Sequence, residues 1–215
     1  MPDGPRSTLI ETVRVRDGAA PLWYLHIRRL VASCRTLGVP FPGAFVVPGG
    51  GADRVQRLEV GPKGVNKAER EVGPTAPVRL VISGVPHPGY RHKTTERTAF
   101  ERAAQEARQA GADDALLLTP RGEVAEATIW CLFWWEGETL AAPALELGIL
   151  PGVSRMRIAE IQGNVAERRV SPEALKGRSL FLANAARGIV QVAALNGVSV
   201  PADARTQALL ARFWP

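Results

Sequence analysis

Apolar residues are spaced in two ways along this chain, and the two spacings predict different elements. The alternating run Leu9-Ile10-Glu11-Thr12-Val13-Arg14-Val15 is typical of a β-strand. Apolar positions three and four residues apart are typical of an amphipathic helix. The predicted strands cover 8–15, 55–60, 78–83, 115–118, 124–135, 179–183 and 189–195. The predicted helices cover 22–37, 95–110, a stretch that follows Ser154-Arg155, a short stretch from Ser171, and 204–214.

Proline and glycine mark the boundaries between these patterned regions. They cluster at 73–77, where the spacing on either side differs, and this cluster predicts a linker. We therefore expect two domains that mix helices and strands: a small one over 1–73 and a larger one over 78–215. The proline- and glycine-rich stretch 39–51 has no periodic pattern and is predicted to be a loop.

Composition and charge argue against several classes of protein. With 215 residues, of which 46% are hydrophobic, the chain is long enough to bury a sizeable core. The formal charge of +6 invites a nucleic-acid reading, but the arginines are scattered and no aromatic residues are interleaved with a basic stripe. The stretch 54–71 mixes both signs and is predicted to be a solvated face. We expect no binding of nucleic acid, whereas small anionic substrates suit a basic surface.

Membrane, secretory and metal-binding signals are missing from the sequence. No apolar run has the length of a membrane span, and no basic start followed by an apolar segment opens the chain. A cytoplasmic location is therefore expected, with no membrane partner. The two cysteines, Cys34 and Cys131, and the three histidines show no metal-ligand spacing, so no metal is predicted.

Three stretches carry candidate chemistry, although each also has an ordinary structural explanation. Lys93 lies between a predicted strand and a predicted helix, where a side chain can be held firmly and still point into a cleft. Glu126 lies in an apolar strand, where a carboxylate is costly unless it is paired with a cation. The stretch Gly152-Val153-Ser154-Arg155 opens a helix, whose free N–H groups suit a phosphate.

The first helix carries a further polar set. His26, Arg29 and Ser33 fall on neighbouring turns of the predicted helix 22–37. Taken alone, this spacing favours a polar, solvated helix face.

Six short segments occur in the order of one known enzyme family. They are Glu11-Thr12-Val13-Arg14-Val15, His26-Ile27-Arg28-Arg29-Leu30, His92-Lys93-Thr94-Thr95, Gly122-Glu123-Val124-Ala125-Glu126, Gly148-Ile149-Leu150-Pro151-Gly152-Val153-Ser154-Arg155 and Asn184-Ala185-Ala186-Arg187-Gly188. Together they resemble the class IV, or fold-type IV, pyridoxal-phosphate enzymes, which include branched-chain and D-amino-acid aminotransferases and the aminodeoxychorismate lyases. The resemblance implies a two-domain α/β (α+β) fold with a shortened small domain, pyridoxal 5'-phosphate as cofactor, and a homodimer.

The resemblance also implies roles for eight residues. Lys93 forms a Schiff base with the cofactor aldehyde and, once freed, acts as a general base. Glu126 faces the ring nitrogen and keeps it protonated. The phosphate site resembles Arg29 together with the helix start at Val153 and Ser154. The remaining implied contacts are Asn184 to cofactor or substrate, and Ala185 and Arg97 to substrate.

Within the family, His-Lys-Thr-Thr-x-Arg followed by Asn-Ala-x-Arg-Gly looks most like the aminodeoxychorismate lyases of folate biosynthesis. The implied reaction converts 4-amino-4-deoxychorismate to 4-aminobenzoate and pyruvate. The synthase that makes this substrate is a possible partner. Two alternatives stay open: an aminotransferase for a D- or L-amino acid, and a cofactor-free relative that serves as a binding module.

Three departures from the family pattern bear on the substrate. The segment between Pro42 and Arg54 is short where relatives have a helix. Cys131, preceded by Trp130, stands where the family usually has an asparagine. Thr98 stands where branched-chain enzymes have a tyrosine, which argues against branched-chain specificity and leaves the partner of the cofactor's phenolic oxygen unidentified.

Overall fold

Two β-sheets organise the chain, and the computed structural model describes residues 8–43 and 48–215 of it. The α-helices of the described part are α1 (Trp23–Leu37), α2 (Thr98–Gln109), α3 (Val153–Gln162) and α4 (Ala204–Phe213). The strands are β1 (Leu9–Val15), β2 (Arg54–Gly61), β3 (Gly64–Arg70), β4 (Val78–Ile82), β5 (Asp114–Leu118), β6 (Val124–Ala127), β7 (Cys131–Glu136), β8 (Thr139–Pro143), β9 (Ala166–Arg168), β10 (Leu180–Asn184), β11 (Gly188–Leu195) and β12 (Val198–Ser199). Short 3-10 helices cover Leu145–Leu147 and Pro172–Leu175, the second of them at the short helix predicted from Ser171.

The first sheet is an antiparallel meander in the order β1-β2-β3. Val13 of β1 lies opposite Gln56, and β2 turns into β3 between Gly61 and Gly64. The pattern did not predict β3, because its exposed, charged side chains show no apolar alternation. Backbone pairing with β2 forms it instead. Its charged side chains are exposed, which agrees with the solvated face predicted for the charged residues of 54–71.

The second sheet has nine strands in the order β6-β5-β4-β11-β10-β7-β8-β9, with β12 paired to β11. Strands β4–β5, β4–β11 and β8–β9 pair in parallel and the others antiparallel. In its central strands successive residues enter different cores. Trp134 packs into one cluster, whereas Phe133 stacks on Phe181 in another, with ring centroids 5.1 Å apart. Burial of both faces explains why these strands are continuous apolar runs.

The predicted strand 124–135 is wrong, because the chain bends at Thr128–Trp130. The N–H of Ala127 donates to the Trp130 carbonyl at 3.1 Å, and this closes a turn. The turn carries the chain from the edge strand β6 to β7, which lies inside the sheet order. The buried carboxyl of Asp114 fixes the turn by accepting the Thr128 hydroxyl at 2.5 Å. Buried apolar side chains on both sides of the bend hid it from the sequence pattern.

Helix α2 begins at Thr98, three residues later than the predicted start at Thr95. The difference changes the local structure next to Lys93. The preceding residues extend along β1 instead of entering the helix: the N–H of Ile10 donates to the Lys93 carbonyl at 2.7 Å. On the other side, the N–H of Thr95 donates to the Thr8 carbonyl at 3.0 Å. Leu9 and Thr94 thus form an isolated antiparallel β-bridge, which holds the Lys93 segment against β1.

The polar set on α1 is buried, so its interpretation as a solvated helix face is wrong. His26, Arg29 and Ser33 are each less than a tenth exposed. They face β1 and the Lys93 segment, with the Ser33 hydroxyl 3.1 Å from His92 Nδ1.

The loop and linker predictions fall on stretches without helices or strands. Within 39–51 this holds for the described residues. Residues 44–47 lie outside the described residues, and part of the expected shortening of the small domain falls on them. The prediction that no secretory signal opens the chain rests on its first residues, which also lie outside the described residues. Residues 71–77, which have no regular secondary structure, connect β3 to β4. The division into domains stays a prediction. No helix in the described ranges is long and apolar enough to cross a membrane.

Candidate active site

A pocket between the two sheets collects the residues that the sequence singled out. It is lined by β1, α1, the Lys93 segment, the β6–β7 turn, the start of α3 and the β10–β11 turn. All eight predicted site residues line it: Arg29, Lys93, Arg97, Glu126, Val153, Ser154, Asn184 and Ala185. Residues that lie far apart in the sequence are therefore close together in space.

Tyr90 fixes the backbone next to Lys93. Its hydroxyl donates to the Thr94 carbonyl at 2.6 Å and accepts the Thr94 N–H at 2.8 Å. The ring packs edge-on against Phe100, with centroids 4.9 Å apart. Since both polar groups of Thr94 are held by one buried side chain, the direction in which Lys93 leaves the backbone is set by packing.

The surroundings of Lys93 favour a neutral amine. Burial, together with the positive charges of Arg29 and Arg97, lowers the pKa of Lys93 to about 7, and Glu11 and Glu126 oppose this shift. A lysine on the surface keeps a pKa of about 10.4 and is almost fully charged at neutral pH. A substantial fraction of Lys93 is therefore the free, nucleophilic amine at pH 7.

Attachment of pyridoxal phosphate, the cofactor that the resemblance implies, should follow this pKa. Because only the neutral amine attacks an aldehyde, we expect the rate of attachment to rise with pH up to about 7 and then to level off. Borohydride trapping at timed intervals across a pH series measures this rate. The Arg97→Gln variant should move the inflection to higher pH, whereas the exposed Arg121→Gln should not. An inflection near pH 10 in the wild type would contradict the assignment.

Glu126 is held by two neutral donors. The N–H of Gly89 donates to His87 Nδ1 at 3.2 Å, so the imidazole proton lies on Nε2. This proton is shared with Glu126 Oε1 at 2.9 Å, and the N–H of Leu150 reaches the same oxygen at 3.2 Å. The second oxygen, Oε2, has no partner among the described residues. A buried carboxylate is thus stabilised on one side and available to a ligand on the other.

Arg29 is neutralised from behind by Glu11. Its Nε and Nη2 atoms donate to the two Glu11 oxygens at 3.0 and 2.5 Å. His26 Nδ1 lies 2.6 Å from the same carboxylate, and its buried Nε2 has no partner in the described part of the chain. Although burial acts in the opposite direction, Arg29 and His26 lower the pKa of Glu11 to about 2. The Nη1 group of Arg29 is left for a ligand.

The start of α3 forms an open cradle beside Arg29. Gly152 precedes the helix, and no side chain of the described residues caps it. A Cβ on Gly152 would lie 2.4 Å from Cys131 Sγ, so a side chain there would collide with the sulfur. The Ser154 hydroxyl donates to the Ala183 carbonyl at 2.9 Å. The backbone N–H groups of Val153 and Ser154 are therefore the donors that this helix offers to an anion.

The β10–β11 turn and Arg97 close the pocket. Asn184 Oδ1 accepts the N–H groups of Ala186 at 3.0 Å and Arg187 at 2.8 Å, which fixes the turn. Arg97 Nη2 donates to the Thr128 carbonyl at 2.6 Å, and its Cζ lies 4.8 Å from the Phe100 ring centroid. Arg97 is thus anchored to the β6–β7 bend and acts on Lys93 by its charge.

Several pocket-forming residues were not identified from the sequence. Glu11 lay in a matched segment without a role, and His87 and Tyr90 lay in a predicted loop. Arg187 lay in a matched turn, again without a role. Glu11 had one usable signal, since a glutamate between Ile10 and Val13 in a strand breaks the apolar pattern much as Glu126 does.

Known proteins resemble this chain in sequence and in fold. The sequence pattern described as amino-transferase class IV matches residues 65–195. A Schizosaccharomyces pombe protein, provisionally named as an aminodeoxychorismate lyase, is 28% identical over 178 residues, which cover 75% of this chain and 76% of that protein.

Two crystal structures extend the likeness. One, from Legionella pneumophila and provisionally named as a 4-amino-4-deoxychorismate lyase, has a TM-score of 0.82 at 25% identity and covers 96% of this chain and 91% of that chain. The other, from Mesorhizobium loti and provisionally named as an amino-acid aminotransferase, has a TM-score of 0.77 at 28% identity and covers 87% and 99%.

The family match spans more than half of the chain and includes Lys93, Glu126 and the α3 cradle. The structural likeness covers nearly all of it and confirms the predicted fold-type IV architecture. The chain therefore belongs to the amino-transferase class IV family of pyridoxal-phosphate-dependent enzymes.

Proposed function

We propose that this protein is a pyridoxal-phosphate-dependent 4-amino-4-deoxychorismate lyase, which forms 4-aminobenzoate and pyruvate. The observation that carries the proposal is a buried lysine of lowered pKa in one pocket with a carboxylate and an anion cradle. The provisional lyase names of the Schizosaccharomyces and Legionella proteins support this choice of reaction within the family.

The residues of the pocket fit the cofactor. Lys93 would hold its aldehyde carbon, and the open Oε2 of Glu126 would accept the ring N–H. Arg29 Nη1 and the N–H groups at the start of α3 would hold the phosphate. Bound in this way, the cofactor supplies an electron sink for the bond that breaks at the substrate carbon.

Lys93 would move the protons of the reaction. Its neutral amine removes the proton from the amine-bearing ring carbon. The bond from the neighbouring ring carbon to the enolpyruvyl oxygen then breaks, and the ring becomes aromatic. The proton passes to the departing three-carbon unit, which becomes pyruvate, so all atoms of the substrate are found in the two products. Since Lys93 is buried, the same amine can keep this proton and return it.

An aminotransferase is the second candidate, and the Mesorhizobium structure favours it. That protein, provisionally named as an amino-acid aminotransferase, is as similar in sequence as the lyase-named relative. Such an enzyme would move an amino group between a D- or L-amino acid and a keto acid. The same pocket residues would serve, because both reactions begin with proton removal at an amine-bearing carbon.

An assay with the substrate separates the candidates. The purified protein is incubated with pyridoxal phosphate and enzymatically generated 4-amino-4-deoxychorismate, and both products are quantified. A lyase gives equal amounts of 4-aminobenzoate and pyruvate. No product despite a visible cofactor band, with amino-group exchange between an amino acid and a keto acid, would replace the proposal by the aminotransferase. If the protein takes up no cofactor, the result would favour the other alternative, a cofactor-free relative that serves as a binding module.

Assembly and location are further parts of the proposal. We expect a homodimer, because the enzymes that this chain resembles build their active sites at a subunit interface. We also expect a cytoplasmic site of action. Sedimentation of the protein, alone and with the synthase that makes its substrate, tests the dimer and the docking separately.

A further inference from the structure

Arg187 is a pocket cation that the described part of the chain leaves without an anion. Its backbone N–H is bound to Asn184, but no described residue accepts a hydrogen bond from its guanidinium. Burial and the nearby charge of Arg70 lower the pKa of Arg187 below its ordinary value, and Asp114 opposes them through space without forming an ion pair. An anion that reached this guanidinium would relieve both effects.

Two contacts hold the guanidinium without neutralising it. Its Cζ lies 5.6 Å from the ring centroid of Trp130, so the cation rests near an aromatic face. The backbone of Gly73 packs against it as well: a Cβ on Gly73 would lie 2.5 Å from Arg187 Nη2. A larger residue at 73 would push the side chain away, so the connection before β4 is shaped around Arg187.

The pocket holds more positive charge than its own carboxylates balance. Arg29 and Arg57 are each paired with a glutamate. Arg70 and Arg187 line the same pocket and have no carboxylate partner among the described residues. Glu126 is the single acidic residue in the described lining. Arg29 is reserved for the phosphate, and Arg97 is anchored on the Thr128 carbonyl. Of the five arginines in the described lining, Arg70 and Arg187 therefore remain without a carboxylate or a hydrogen bond to the β6–β7 bend.

We propose that Arg187, with Arg70 beside it, binds one carboxylate of a substrate that carries two, and so determines specificity for dicarboxylates. The inference rests on the proposed function, because 4-amino-4-deoxychorismate has one carboxylate on its ring and one on its enolpyruvyl group. The family resemblance assigns one of them to the turn that begins at Asn184, and Arg187 lies three residues further along the same turn. Its planar fork of donors matches a carboxylate.

Three non-reacting ligands test this assignment on the holoenzyme by titration calorimetry. Chorismate has both carboxylates and a hydroxyl in place of the amine. 4-Aminobenzoate keeps the ring carboxylate alone, and 2-phenoxyacrylate keeps the enolpyruvyl carboxylate alone. Arg187→Gln should weaken the binding of chorismate by about 10- to 100-fold, which is the contribution of one charge-assisted hydrogen-bond pair. It should weaken the binding of one of the two monocarboxylates by a similar factor and leave the binding of the other unchanged.

Controls keep a loss of folding apart from a loss of recognition. Arg121→Gln removes the same charge from an exposed turn outside the pocket and should change none of the three affinities. Arg187→Lys should recover part of the chorismate affinity, because it restores the charge without the fork. Equal weakening of both monocarboxylates, or unchanged binding of chorismate, would overturn the assignment.

The assignment of Arg187 can also be tested independently of the proposed lyase reaction. If the protein forms no 4-aminobenzoate, the lyase proposal fails, and Arg187 is tested with 2-oxoglutarate against 2-oxobutyrate. A wild-type preference for 2-oxoglutarate that disappears in Arg187→Gln supports the dicarboxylate assignment on its own. No preference in the wild type overturns it.

Discussion

Replacing Lys93 with alanine should lower kcat for 4-aminobenzoate formation by at least about 1,000-fold, the upper range for a positioned proton-transfer group. The amine that takes the ring proton would be gone, and the buried site offers no second lysine among its described lining residues. Steady-state release of 4-aminobenzoate, measured by its fluorescence, gives the rate.

Lys176→Ala is the matched control, since it removes an exposed lysine outside the pocket and should leave kcat within about twofold, as expected for a surface position. Circular dichroism should show that Lys93→Ala stays folded, because burial of the charged amine opposes folding. Activity of Lys93→Ala within about tenfold of the wild type would mean that another group carries the proton.

Glu11→Gln should destabilise the cofactor-free protein by about 3 kcal/mol, the cost of breaking a buried ion pair from one side. The amide would leave the Arg29 guanidinium, which is almost fully buried, without its counter-charge. Urea unfolding followed by tryptophan fluorescence measures the loss in free energy of unfolding.

The Glu11 effect should depend on pH in a defined direction. In the folded protein the pKa of Glu11 is about 2, below its ordinary 4.5. The carboxylate therefore contributes stability above pH 4.5, and this contribution is lost as the pH falls toward 2. The gap between wild type and Glu11→Gln should be widest above pH 5 and narrow in acid. Glu59→Ala, which breaks a half-exposed pair with Arg57, should cost at most about 1 kcal/mol. A gap that stays constant with pH would contradict the ionised pair.

Local pattern predicted the elements that bury apolar faces. The spacing over 22–37 predicted α1, and the runs at 78–83 and 115–118 predicted β4 and β5, because burial of one face leaves a period in the sequence. It did not predict β3, whose side chains are solvated, nor the bend at Thr128, which lies among buried residues on both sides. In both cases the deciding bonds are made by the backbone or by Asp114, and neither leaves a period.

The candidate site could be predicted only as far as family resemblance reached. The matched segments placed eight residues, and the structure brings them into one pocket. Pairings across elements were out of reach: Glu11 meets Arg29 from another element, and His87 meets Glu126 from a distant loop. The contact of Arg187 with Gly73 depends on how the linker packs, so no local pattern indicated it.

One measurement tests the central claim most directly, namely that Lys93 holds the cofactor. The chain has four lysines, Lys63, Lys67, Lys93 and Lys176, so a covalent label can be assigned without ambiguity. The protein is incubated with pyridoxal phosphate, reduced with borohydride, digested and mapped by mass spectrometry. We expect a single phosphopyridoxyl group, on Lys93. A label on Lys63, Lys67 or Lys176 in place of Lys93, or no label at all, would contradict it.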